Sequence, residues 1–155
     1  MFDGTNVFIS TGNGKAEMLA MRLGGQGSVT DTHVIWRNAR GTPRMPSPVL
    51  VGELLFMVND GGIATCLEAT TGNQLWQERL GGEYAASLLY ANDRIYCFSQ
   101  DGKATVLKAA RTFEILATSK LDAGFMASPA IIGNAFILRT KTYLYRIEDK
   151  SARKK

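Results

Sequence analysis

Six side chains in this sequence have the type and the placement to meet a ligand. Asp60 and Asp101, each followed by glycine, offer carboxylates to a metal ion or a sugar hydroxyl, although Asp-Gly is also the ordinary chemistry of a tight hairpin turn. Arg44 and Arg79 can clamp an anion or stand solvated at the surface. Tyr84 and Phe125 each lie three residues before a serine, Ser87 and Ser128, where a ring either packs into a joint or forms a stacking platform for a sugar or an aromatic ligand. No nucleophile, base and orienting acid converge, so no catalytic residue is assigned. Cys66 and Cys97 are too few and too widely spaced for a zinc site and sit in apolar runs, where a thiol behaves as a small buried hydrophobe. The glycine-rich stretches at 10–15 (STGNGK) and 24–27 (GGQG) are followed by no helix that could hold a phosphate, so both read as loops. The sole histidine, His33, leads into an outer strand, away from any shared site.

Whatever holds these side chains must be a globular unit. The chain has 155 residues, 45% of them hydrophobic and 21% charged, which suits one domain of ordinary core size. Its net charge of +4 is matched by the four cations of the last six residues, KSARKK, so the remainder is neutral. A neutral body lacks the basic stripe of a nucleic-acid groove, and residues 150–155 are expected to be a disordered basic tail. No apolar run reaches the roughly 18 to 20 residues of a membrane span. The first residues, MFDGTNVFIS, have none of the features of a secretory signal.

The organising feature is a repeat of about 40 residues. Trp36, Trp76 and Leu116 stand 40 apart in apolar runs, and Ser47, Ser87 and Ser128 open similar segments at spacings of 40 and 41. Asp60 and Asp101 supply a third marker, 41 apart. Each period reads as four short strands, A to D, which in the second copy cover 48–51, 54–59, 63–68 and 74–80 and are joined by Gly, Asn, Asp and Thr turns. Nowhere is there a sustained helical period. Four antiparallel strands per repeat, with runs such as LLFMV and RIYCF apolar on both faces, define the blades of an all-β propeller rather than a half-solvated sandwich. On this register the tryptophans occupy strand D. There an indole can cover the joint between blades, burying about 200 Å², while its N–H reaches a backbone acceptor.

The run DGGIATCLEATTGNQLW resembles the pyrroloquinoline-quinone (PQQ) type of propeller repeat, with Asp-Gly, a strand, an acidic residue, Thr-Gly, a strand and Trp. The resemblance covers nearly the whole chain and is strongest to the C-terminal blades of exported bacterial propellers, which implies a periplasmic or secreted location. In the quinoprotein dehydrogenases of this family the resemblance implies PQQ with calcium over the central axis, a catalytic acid and commonly two adjacent cysteines. This sequence has no adjacent cysteines and no evident carboxylate cluster, so no cofactor and no metal are assigned. Other members, such as the propeller lipoprotein of outer-membrane assembly, act as scaffolds.

Strand counting gives about three and a half blades, at 1–44, 45–84, 85–125 and 126–149, the first opening inside strand B and the last lacking strand D. A propeller is a closed ring, so the expected object is a C-terminal portion of a seven- or eight-bladed one, with Met1 an internal methionine, or a half-ring that pairs with a second copy. The B–C and D–A connections emerge on one face, and Arg44, Asp60, Arg79, Tyr84, Asp101 and Phe125 all belong to it. Three functions follow. The first is a non-catalytic scaffold that binds a protein, a carbohydrate or another small molecule. The alternatives are a segment of a PQQ-dependent dehydrogenase and a carbohydrate-linked enzyme working on the axial face.

Overall fold

The computed structural model of the protein describes residues 1–12, 14–121 and 123–148. The proposed tail at 150–155 lies outside them. Among the described residues, short runs of β-branched and aromatic residues between positive-φ turns give fourteen strands in four antiparallel sheets. The first sheet holds β1 (Asn6–Thr11), β2 (Glu17–Arg22) and β3 (Val34–Asn38), with a one-turn helix α1 (Thr30–His33) before β3. This turn of helix, closed by the His33 N–H donating to Val29 O at 2.9 Å, is the one helical element among the described residues, and it is too short to show in a periodicity.

The second sheet runs β4 (Val49–Val51), β5 (Leu54–Val58), β6 (Ile63–Glu68) and β7 (Gln74–Arg79). The third repeats it with β8 (Leu89–Ala91), β9 (Arg94–Phe98), β10 (Lys103–Lys108) and β11 (Ile115–Lys120). The fourth holds β12 (Ala130–Ile132), β13 (Ala135–Arg139) and β14 (Leu144–Glu148). Strands are paired in sequence order throughout, so each sheet is a meander and the whole is a partial β-propeller.

Three apolar layers fill the joints between sheets. Phe8, Met18 and Ala20 of the first pack with Leu55, Met57 and Leu67 of the second. The other face of the second sheet, with Phe56, Val58, Cys66 and Trp76, meets Ile95, Cys97 and Leu107 of the third. Phe98 and Phe125 meet Leu138 of the fourth. Alternate residues of a central strand therefore face two different neighbours, which is why those strands are apolar on both sides. Apolar side chains remain exposed on the fourth sheet, among them Ile131, Ile132, Tyr143 and Leu144.

Three details differ from the sequence reading. Residues before β1 are not free of pairing: Phe2 bridges Val7, and Met1 and Phe8 exchange main-chain hydrogen bonds of 3.0 and 2.9 Å, so Met1 and Phe2 stand where the other copies have strand A. Leu116 is not the counterpart of the two tryptophans. In each of β3, β7 and β11 the ladder slips by one residue: Trp36 faces Ala20, Trp76 faces Cys66 and Ala117 faces Val106, while Leu116 occupies the bulge. Asp60 and Asp101 are likewise not equivalent. Gly62 donates to Asn59 O and Gly102 to Ser99 O, so Gly61 is the structural counterpart of Asp101.

Candidate loop-face site

The inner strands fix the frame on which the loops stand. The backbone N–H of Ser47 donates to Ser87 Oγ at 3.1 Å, and that of Ser87 donates to Ser128 Oγ at 3.0 Å. Leu88 N–H returns to Ser47 O at 3.3 Å. Ser87 thus accepts from the preceding D–A loop and donates to the next, linking three successive D–A loops.

At the outer side the indoles do similar work. Trp36 Nε1 donates to Ala69 O at 2.8 Å and Trp76 Nε1 to Ala110 O at 3.2 Å, each in the C–D turn of the next sheet. Trp36 packs on Phe8, and Trp76 packs between Phe56 and Phe113 at ring separations of 6.0 and 5.2 Å.

On the loop face the six candidate residues divide sharply. Asp60 accepts the backbone N–H of Arg44 on one carboxylate oxygen and that of Met45 on the other, both at 3.1 Å. Its charge therefore anchors the 39–48 loop. Asp101 accepts from the Ser99 hydroxyl, a bond that holds its carboxyl below the usual range. Ser99 in turn binds Lys103 N–H, and Lys103 Nζ donates to Leu80 O at 2.7 Å, so this cluster ties β10 to the D–A loop of the preceding sheet. Arg79 leans its guanidinium on Gly61 O at 3.5 Å, and the Arg44 side chain is exposed.

Neither Tyr84 nor Phe125 presents its ring on the loop face. They are 0% and 1% exposed, and each bridges the next sheet's B–C turn, Tyr84 at Ser99 and Phe125 at Thr140. Phe125 packs edge-on against Phe98 at 5.0 Å. The Tyr84 hydroxyl is buried beside Thr105, and burial pushes its phenol well above the ordinary range. The physical reason is their place in the chain: three residues before the serine, a side chain points into the joint between sheets. Arg44, at the same place in the first D–A loop, remains outside.

Sequence reasoning missed what the face does expose. Met45 and Met126, two residues before Ser47 and Ser128, are 56% and 54% exposed. Their shared offset from the serine was the signal that could have found them; Ala85 fills the place in the middle copy. Met45 and Arg44 line a groove of about 420 Å³ with Met1, Phe8 and Ile9, and Arg44 is shared with a neighbouring groove of about 400 Å³ reaching Lys15 and Asp60. Met126 lies against Arg139 and Lys141 in a third, of about 220 Å³.

PQQ with calcium does not fit these residues. Among the described residues no three of the types His, Cys, Asp and Glu come together, and Asp60 and Asp101 are spent on loop N–H groups and a serine hydroxyl. Cys66 and Cys97 are buried free thiols, pushed up to about 12 by desolvation.

A meander of four-stranded sheets joined by indole and serine contacts is the architecture of a PQQ-type propeller. The family described as outer membrane protein assembly factor BamB matches residues 28–116, more than half of the chain, and the protein belongs to it. Among solved structures, BamB from Moraxella catarrhalis is similar at 14% identity and a TM-score of 0.73 over 94% of this chain and 46% of its own. The computationally designed Ika4 protein gives 14% identity and 0.72 over 95% of this chain and 87% of its own. A europium-containing methanol dehydrogenase gives 14% and 0.60 over 76% of this chain and 23% of its own. The chain thus spans less than half of BamB and under a quarter of the dehydrogenase, and the likeness is one of fold. No curated protein sequence matches it. Among the described residues no helix is long and apolar enough to cross a membrane.

Proposed function

We propose that the chain is part of a non-catalytic propeller scaffold in an exported bacterial protein, and that its loop face binds another protein in the periplasm. The observation that carries this is the pair of exposed methionines, Met45 and Met126, at one repeat position and flanked by the cations Arg44, Arg139 and Lys141. A flexible, polarizable thioether next to a cation suits an adaptable protein contact. The frame beneath is rigid, because the serine bonds and the Asp60 anchor hold the loops before any partner arrives. Membership of the BamB family supports a role in assembly.

The test is photo-crosslinking in the native cell, with the crosslinker at Met45 or Met126 and, as controls, at Glu53 or Asn92 on the opposite face. A discrete protein adduct from the methionine positions alone is expected. Equal labelling from both faces would count against the reading, as would PQQ- and calcium-dependent oxidation of alcohols by the protein.

A further inference from the structure

The three joints between sheets are not closed alike. In the first, the Trp36 indole lies on Phe8 and faces Ala20 in the ladder; in the second, the Trp76 indole lies on Phe56 and faces Cys66. In the third, the same ladder position is Ala117, facing Val106, and the ring at the place of Phe8 and Phe56 is Tyr96. An alanine methyl cannot span a joint that two indoles close elsewhere. Phe136 packs edge-on against Tyr96 at 4.8 Å. A cleft of about 330 Å³ remains, lined by Tyr96, Phe98, Val106, Phe136, Leu138 and Ile147 and rimmed by Ser119 and Lys120.

We propose that this cleft is a binding site for a small, uncharged, planar aromatic molecule of about the size of indole. The repeat itself specifies the occupant. Val106 and Tyr96, the counterparts of the residues on which the two native indoles rest, both line the cleft, so a flat ring placed there meets the surface that a strand-D tryptophan meets in the other joints. The volume is within the range of small-molecule sites, and the walls are mostly apolar side chains. Apolar walls of this kind favour contact with an aromatic ring over contact with water.

Indole itself is the probe, titrated into the full chain and followed by NMR at the Leu138 and Ile147 methyl groups and by calorimetry. Saturable binding with shifts at both residues is expected. Ala117→Trp, which supplies the missing ring from the protein, should weaken indole binding at least tenfold and raise the melting temperature. Ser119→Trp, on the wholly exposed strand β11, blocks the mouth without touching the buried wall and should also weaken it at least tenfold. The proposal is overturned if indole shows no saturable binding to the full chain, or if its affinity is unchanged in folded Ser119→Trp.

Discussion

Ser47 donates its backbone N–H to the hydroxyl of Ser87, and the Ser87 N–H passes the same bond on to Ser128. A repeat read in the sequence as a spacing is thus a chain of hydrogen bonds between neighbouring sheets. Ser87 is the only one of the three that both accepts and donates within the described residues. Ser87→Ala leaves the Ser47 N–H without its acceptor and should lower stability by about 1 kcal/mol, read as a shift of the urea midpoint at constant slope. Since the group is partly solvated, water recovers some of the loss. An unchanged midpoint would mean that the ladder does not stabilise the joint.

Strand β5 was legible in the sequence because both its faces are buried: Leu55 and Met57 pack toward the first sheet and Phe56 and Val58 toward the third, so the run has no polar member. The tryptophan partners were legible in kind, since a buried indole N–H must find an acceptor. What failed was single-residue register. The bulge in β11 puts Ala117, not Leu116, in the tryptophan place, and a bulge leaves no mark in composition. The two Asp-Gly pairs mislead for a similar reason, because Asp60 and Asp101 sit at different places in turns built alike. Burial of Tyr84 and Phe125 could not be read, since a loop ring stacks on a ligand or fills a joint with the same residue type.

Trp76 should be the more costly of the two indoles to remove. It is buried between Phe56 and Phe113, whereas Trp36 is half-buried with one aromatic neighbour. Trp76→Ala is expected to cost roughly 3–5 kcal/mol, the range for truncating a core aromatic, and Trp36→Ala less. Chemical denaturation of the two variants side by side checks the order, and an equal loss would contradict the packing described.

Gly72 and Trp36 are coupled through space. Gly72 has φ of +74°, and a Cβ added to it would stand 2.6 Å from Trp36 Cδ2. Gly72→Ala therefore combines left-handed backbone strain, about 1–2 kcal/mol, with displacement of the indole from its seat. The expected signature is lost stability together with a red shift in Trp36 fluorescence, measured in a Trp76→Phe background. Strain alone would leave the emission where it is.

Asp60 serves the loop rather than a ligand. With both carboxylate oxygens engaged by Arg44 and Met45, Asp60→Ala frees two backbone N–H groups at the edge of the loop-face grooves. Amide exchange at Arg44 and Met45 should quicken by about tenfold, equivalent to roughly 1.4 kcal/mol of local protection, while the buried strands exchange as before. Unaltered exchange at those two amides would remove the anchoring role.

The buried thiols, together with the buried Tyr84 phenol, weaken the fold at alkaline pH. Desolvation raises Cys97 and Cys66 from 9.0 to about 12, Cys66 with a small opposing pull from Arg111. Below pH 9 both states keep the protons and nothing is lost. Between pH 9 and 12 the unfolded chain releases protons that the native protein retains, so unfolding is increasingly favoured as pH rises, by up to about 1.4 kcal/mol per pH unit for each thiol. Replacing both cysteines with alanine lowers stability at neutral pH but should flatten its decline above pH 9. Native protein should also resist iodoacetamide at pH 8 and react once urea unfolds it, because alkylation requires an accessible thiolate. Fast labelling of either cysteine in the native state would show that the joint opens far more readily than its packing implies.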